Sequence, residues 1–376
     1  MASRRPDVIR LQTPAGFIAG FESLEVVNDI AGISEAIIRF GDDRSWGYLV
    51  PLISPGNEIT VFLNQRPRLK GRVEITEPTA EVGSGTVFQL NVRTKKADAH
   101  VASAEPVTVQ DVSVADFGIS LYEQIGLTRA NFRFAEFADR DLMTGKAGGA
   151  APPLDFETIK PDQAKVQPPE TIADCFERHL RRFRATHWDG PTGEILVGRP
   201  DDTQPPLYRL QCKRGPTAKA NNVLSCRRII DWSEVPSQVT VYGQTHGRDV
   251  ASSQFKAVAV NDVVADVAAR TGHFRRNVIV QDQQAKSIEE AQRTATRELS
   301  ARRRRQDAWE LTVDGWSYWN GNEQINWANN TTVDIDVEPL GGPVGRFLIV
   351  RVQLRLTLDG AAVTVITVVA PGIWVL

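Results

Sequence analysis

Five histidines carry much of this chain's acid–base capacity: His100, His179, His187, His246 and His273. None forms an H-E-x-x-H pair, the spacing that sets two imidazoles and a general base on one helix face to hold zinc. His179 and His187 lie close to Asp189 and together could imitate two ligands and a carboxylate. His179, however, falls on the apolar face of a helix and His187 on a hairpin, so a core or strand-edge role is the plainer reading of both. The three cysteines, Cys175, Cys212 and Cys226, are odd in number and widely spaced, without a C-x-x-C pattern. They give neither a metal site nor a disulfide framework, which fits a reducing compartment. There is no G-x-S-x-G nucleophile elbow. Gly145-Lys146-Ala147 lacks the glycine spacing and the Ser/Thr of a phosphate-binding loop. Acidic residues are plentiful, but a glycosidase pair has no local signature, so hydrolysis stays open at this point.

Two charged runs stand out: Arg178, Arg181, Arg182 and Arg184, and then Arg302, Arg303, Arg304 and Arg305. The second run has three readings. It can contact phosphates, it can end a solvated helix where cations suit the macrodipole, or it can meet an acidic protein partner. No aromatic stacking platform is interleaved with it, which weighs against nucleic acid. Arg351 and Arg355, on the polar face of the last long strand pair, are further candidate partner contacts. Trp309, Trp316, Trp319 and Trp327 could form a carbohydrate-binding strip, but tryptophans set among strands more often pack a core.

The elements that must position these residues follow from composition and periodicity. The 376 residues are 41% hydrophobic and 24% charged, with 44 basic against 46 acidic side chains. That is ordinary globular material with no bulk polyelectrolyte role. No apolar run approaches a membrane span and no apolar stretch follows the N-terminal Met-Ala-Ser-Arg-Arg-Pro. A soluble protein, folded in a cytoplasm without membrane anchoring, is expected. Residues 1–105 read as a first β unit of short strands: Phe21 to Val27, Ala36 to Phe40, Ile59 to Leu63, Leu69 to Ile75 and Val87 to Val92. Turns are expected at 41–43, 54–56 and 83–85. Residues 106–206 are mixed α/β. A helix spans Val112 to Ile125, a strand Asn131 to Phe137, and a linker 144–169. A second helix opens on a Thr171/Asp174 capping pair and buries Ile172, Cys175, Phe176, His179, Leu180 and Phe183, ahead of a hairpin around 189–193. Residues 207–250 and 308–376 form a second β unit, interrupted by a helical insertion at 251–307. There Ile288, Ala291, Ala295 and Leu299 make a thin apolar stripe, and Glu298 pairs with Arg302. The fold class is therefore β-rich α+β, with two tube-like antiparallel barrels flanking a mixed domain.

The clearest single signal is the C-terminal hairpin. From Leu348 to Leu358 the even positions are apolar, with Arg351, Gln353, Arg355 and Thr357 between them. Asp359-Gly360 suits a two-residue type I′ turn. That turn pairs Leu356 with Val363, Leu354 with Val365 and Val350 with Val369. It places Ile366 and Val368 on the opposite, mixed face.

The order of segments resembles the baseplate hub proteins of contractile phage tails, the Mu-like tail proteins in particular. The resemblance covers most of the chain. It runs through Trp46 to Leu52 with Glu58 to Asn64, Pro169 to Ile172 opening a helix, Trp188 to Gly190 with Glu194 to Val197, and Asn222 onward. It continues through Gln238 to Gln244, the Arg-rich helix ending in Ala308 to Glu310, Val313 to Trp316, Trp327 to Thr331, and the final hairpin. The resemblance implies a homotrimer with two related β-barrels per chain, six in all, adapting a six-fold tail tube protein to a three-fold central spike protein. It further implies other baseplate proteins as partners, DNA only as cargo through a channel, a place in the virion tail, and no catalytic residue, cofactor or metal. The alternatives are a tail-associated cell-wall hydrolase and a carbohydrate-binding module.

Overall fold

Burial alternates along the early strands as a period of two requires: every second side chain of Glu35–Phe40 and Glu58–Leu63 is buried. The computed structural model describes residues 7–373 apart from 19, 42–49, 82–84, 107–110, 135–157, 160–164, 167–168, 181–184, 215–220, 245–253, 283–284, 286, 304–305, 322, 340, 343 and 358–359. The turns expected at 41–43 and 83–85 fall largely outside the described residues. So do most of the 144–169 stretch, Trp46, Phe183, His246, Arg181, Arg182, Arg184, Arg304, Arg305 and Asp359. The first seven strands are β1 (Ile9–Thr13), β2 (Gly16–Ile18), β3 (Phe21–Asp29), β4 (Glu35–Phe40), β5 (Glu58–Leu63), β6 (Arg66–Glu81) and β7 (Gly85–Arg93). They pair antiparallel in the order β3-β4-β7-β6-β5-β1-β2. The β1–β2 hairpin was not expected from the sequence.

The mixed unit follows as α1 (Lys96–Val101), β8 (Val112–Ser113), α2 (Val114–Glu123), β9 (Phe132–Phe134), β10 (Thr158–Ile159), α3 (Ile172–Leu180), β11 (Thr186–Asp189) and β12 (Ile195–Gly198). Both longer helices start where a hydroxyl satisfies an orphan amide. Asp116 N–H donates to Ser113 Oγ at 3.1 Å and Asp174 N–H to Thr171 Oγ1 at 3.1 Å. The latter is the expected capping pair. Helix α3 buries Ile172, Cys175, Phe176, His179 and Leu180 against Phe117, Tyr122 and Phe132 in a core of its own.

The last part holds β13 (Tyr208–Cys212), β14 (Val223–Ile229), β15 (Gln238–Gln244), β16 (Gln254–Val260), α4 (Asp262–Thr271), β17 (Asn277–Asp282), α5 (Ile288–Arg303), β18 (Ala308–Asp314), β19 (Ser317–Asn320), β20 (Glu323–Asn326), β21 (Thr331–Val337), β22 (Val344–Leu356) and β23 (Ala362–Val369). The insertion holds the two expected helices, α4 and α5, but it also contains a sheet that was not expected. Strands β15, β16 and β17 form a sheet in the order β16-β15-β17, and α5 covers one face. β15 therefore belongs to this sheet rather than to the second barrel. Short alternations such as Val278/Val280 and Ala257/Ala259 carry it, and they are easily lost beside two helices. Ala291, Ala295 and Leu299 are buried as the stripe required, whereas Ile288 is 53% exposed.

The two β units do not stand apart. They join in a single 13-stranded sheet, and one main core draws on both. Strand β22 is the junction. On one edge its residues Leu348–Leu356 pair with β23. On the other, Val344–Ile349 pair with β21 and Arg351–Leu356 pair with β3. Val350 is the extra residue between these two stretches, a β-bulge whose carbonyl accepts from Ile30 N–H at 3.1 Å. It also exchanges the faces. Before it, Phe347 and Ile349 point to the main core and Leu348 packs on Trp188, Leu196 and Ile30; after it, Val352 and Leu354 point to the main core.

The hairpin register differs from the expected one by a residue. Leu356 pairs with Ala362, Leu354 with Thr364 and Val352 with Ile366. Thr357 N–H donates to Ala361 O at 3.0 Å, and Gly360 N–H donates to Thr357 O at 2.9 Å with φ +80°. The connection thus has three residues rather than two, with the glycine in the left-handed position that such loops need. A slip of one reverses every side chain of β23. Ile366 and Val368, expected on the mixed outer face, are fully buried in the main core.

Candidate partner-binding cleft

The bulge of β22, the end of β14, the start of β18 and the last turn of α5 enclose a cleft of 590 Å³. Its floor is apolar, from Val350, Val369 and Ala308, and its rim is charged. Arg302 from α5 and Arg351 from β22 meet there, although the sequence separates them. Each already has a partner within the chain. Arg302 pairs with Glu298 one turn back, and Arg351 Nε lies 4.0 Å from Asp29 Oδ2 on β3. Arg355 sits farther along β22, outside the cleft, with its Nε 3.4 Å from Glu25 Oε2. Arg351 is opposite Asp29 and Arg355 opposite Glu25 in the β22–β3 ladder. These half-exposed pairs add at most about 1 kcal/mol each, so their main effect is to favour one register. In the other run, Arg178 is bound by Glu170 at 2.6 Å. The rim carboxylates are similarly engaged: Glu310 holds Arg227 at 2.6 Å. The cleft offers polar and apolar contacts to another surface and presents no activated nucleophile.

A buried polar network lies elsewhere, where the mixed unit docks on the loop after β3. Lys96 is buried and donates to Gly32 O at 3.2 Å and to His187 O at 2.9 Å, while Ser34 N–H donates to Asp189 Oδ2 at 2.9 Å. His187 Nδ1 is 3.1 Å from Glu177 Oε2, and His187 Nε2 is 2.8 Å from the Tyr122 hydroxyl. Glu177 can only accept while ionised, so Nδ1 carries the proton and Nε2 accepts from Tyr122. Burial, followed by the Lys96 ammonium, holds His187 below its ordinary value. Burial raises the Tyr122 phenol well above its own, helped by Asp189 and Glu177. In this Glu–His–Tyr relay His187 and Tyr122 are buried and Glu177 is 17% exposed, and the relay ties α2, α3 and β11 together. Nothing in the sequence marked Lys96, Tyr122 or Glu177.

His100 shares this environment. Burial, then Lys96 and His187, pushes it down to about 4, against smaller opposite effects of Asp189 and Asp174. The unfolded chain takes up a proton near pH 6.5 that the folded chain refuses until about pH 4. Stability from His100 is therefore complete above pH 6.5 and is lost progressively as the pH falls toward 4. Thermal melts from pH 8 to pH 4 should be flat and then decline, and His100→Gln should shallow the decline. A His100→Gln profile that overlays the wild type would remove this histidine as a cause.

The remaining candidates resolve into packing. His179 stacks edge-on against Phe117 at 4.7 Å, and it is not brought together with His187 and Asp189 as ligands. Among the described residues no group of three His, Cys, Asp or Glu side chains is placed to hold a metal ion. Trp309, Trp316 and Trp327 are buried in the main core and Trp319 is half-exposed, so these four do not form a strip facing solvent. No helix is long and apolar enough to cross a membrane among the described residues.

No family model and no curated protein matches the sequence. Solved structures do match its fold. A tail protein from Neisseria meningitidis MC58 superposes with a TM-score of 0.73 at 17% identity, over 99% of this chain and 98% of its own. A 43 kDa tail protein of prophage MuSo2 from Shewanella oneidensis gives 0.70 at 15% identity, over 98% and 99%. An Escherichia coli component of the type VI secretion system, described as structurally similar to the T4 tail proteins gp27 and gp5, gives 0.52 at 10% identity, over 97% of this chain and 76% of its own. The chain therefore has the β-rich α+β fold of phage tail proteins of nearly its own length.

Proposed function

We propose that this chain is a structural subunit of a phage or phage-like tail, at the hub of the baseplate. In this reading it forms a homotrimeric ring between a six-fold tail tube and a three-fold central spike, and DNA passes through as cargo. The observation that carries the reading is the end-to-end match. Both β halves, the mixed unit between them and the insertion all align, over 98% or more of each chain, with two tail proteins. The open sheet supports it. The strand path ends at β2 on one side, with Phe17 65% exposed along that edge, whereas its other end, β14, lies beside β13. Unpaired edges invite pairing with another chain, and a closed cyclic assembly is the ordered way to cover them. Two β units fused in one sheet give three chains six such units. Arg302 and Arg303, with Arg304 and Arg305, are the proposed contacts for other baseplate proteins, and Arg351 and Arg355 are further proposed contacts.

Light-scattering mass of the purified chain tests this directly. The expected value is three times the 41.6 kDa protomer. A monomer at micromolar concentration counts against the hub, and a monomer that also clears a peptidoglycan suspension would favour a cell-wall hydrolase.

A further inference from the structure

Strands β13 and β14 are neighbours that no ladder joins. They meet at a bracket made by Asn222, which donates from its backbone to Gln211 O at 3.2 Å, accepts from Gln211 N–H at 2.9 Å and donates to Arg209 O at 2.7 Å. Beyond it each strand is bonded only to its outer partner, β21 or β18. Cys212 ends β13 and Cys226 lies in β14. Their ladder partners fix their direction: Cys212 is opposite Val337 and Cys226 is opposite Leu311, both fully buried in the main core. Paired residues share a face, so both thiols turn inward from adjacent strands, and both pack against that core while keeping partial exposure. The two thiols interact directly across the gap. Cys175 is different: it is enclosed in the mixed unit, and burial pushes its thiol up to about 12.

We propose that Cys212 and Cys226 form an oxidative modification site, a dithiol that closes to an intrachain disulfide across the β13–β14 seam. The oxidant is a small-molecule disulfide, RSSR. One cysteine thiolate attacks it, forming a mixed disulfide and releasing one RSH. The second thiolate then attacks the protein sulfur of that mixed disulfide, forming the Cys212–Cys226 bond and releasing the second RSH. The dithiol loses two electrons and two protons, and RSSR is reduced to two thiols. Burial and the neighbouring Cys212 thiol raise Cys226 above its ordinary value, so exchange speeds up as the pH rises toward it. The bond staples the barrel where backbone pairing leaves it open.

Oxidised glutathione added to the full-length protein at pH 8 tests the proposal. After acid quenching and denaturation, titratable thiols should fall from three to one. Peptide mapping should yield Cys212 and Cys226 peptides joined and lighter by two hydrogens. The melting temperature should rise by a few degrees and return on reduction. Cys212→Ser should instead accumulate a glutathione adduct on Cys226 and show no such rise. Stable glutathione adducts on both wild-type cysteines, disulfide-linked dimers, or three thiols persisting after oxidation would overturn it. So would the same thermal shift in Cys212→Ser.

Discussion

Deletion of Val350 is expected to leave a folded protein that is about 1–3 kcal/mol less stable than the wild type, while Val350→Ala should fall within about 1 kcal/mol of it. The difference follows from the bulge. Ile349 and Val352 both face the main core because one unpaired residue stands between the two ladders of β22. Without it Phe347, Ile349, Val352 and Leu354 fall on a single alternation, with Arg351, Gln353 and Arg355 on the other face. The core face is kept, and what is lost is the carbonyl that accepts from Ile30 N–H together with the local bend of the strand. The alanine variant keeps that carbonyl and loses only part of a half-buried side chain. Soluble yield and thermal melts by circular dichroism separate the two cases. A deletion variant that fails to fold would show that the bend itself, rather than the phase of β22, holds the two β units together.

Gly71→Val should be the most damaging single substitution in the first half, at about 3 kcal/mol or more. A Cβ at this position lies 2.3 Å from the carbonyl oxygen of Arg93 and 2.7 Å from its carbonyl carbon. Those are backbone atoms held in the ladders that join β7 to β4 and β6, so neither can swing aside as a side-chain tip would. Here β6 leaves its pairing with β5 and takes up β7: Gly71 is opposite Ile59, and Arg72 is opposite both Glu58 and Arg93. Denaturant midpoints measure the loss. An unchanged midpoint would mean that β6 and β7 do not approach so closely.

The strands themselves were largely legible. The segments read as Phe21 to Val27, Ala36 to Phe40 and Ile59 to Leu63 appear as β3, β4 and β5, because alternation is local information. The Thr171/Asp174 cap was legible for the same reason. Register was not. Two- and three-residue connections at Gly360 differ by one backbone hydrogen bond, yet they reverse β23. The partners of Arg351 and Arg355 were hidden as well, since Asp29 and Glu25 lie near the other end of the chain. Lys96, fully enclosed and bonded to two carbonyl oxygens, has the sequence surroundings of any surface lysine. The neighbourhood of Cys212 and Cys226 was invisible to spacing rules because two strands fold back to create it.

The sharing of β22 also orders events in time. Strand β3 is made before its partner, and the edge it offers is covered only by residues 351–356, far later in the order of synthesis. At roughly 5–20 residues per second, translation leaves that edge unpaired on the order of tens of seconds. The main core, fed from both ends of the chain, cannot close before then. The first half is thus expected to wait on the ribosome as an open, association-prone sheet, with non-local pairing setting the pace of folding. Fragments ending before β22 should accumulate in inclusion bodies, and crowded polysomes, where several nascent β3 edges sit close together, are where premature pairing between copies has its best opportunity.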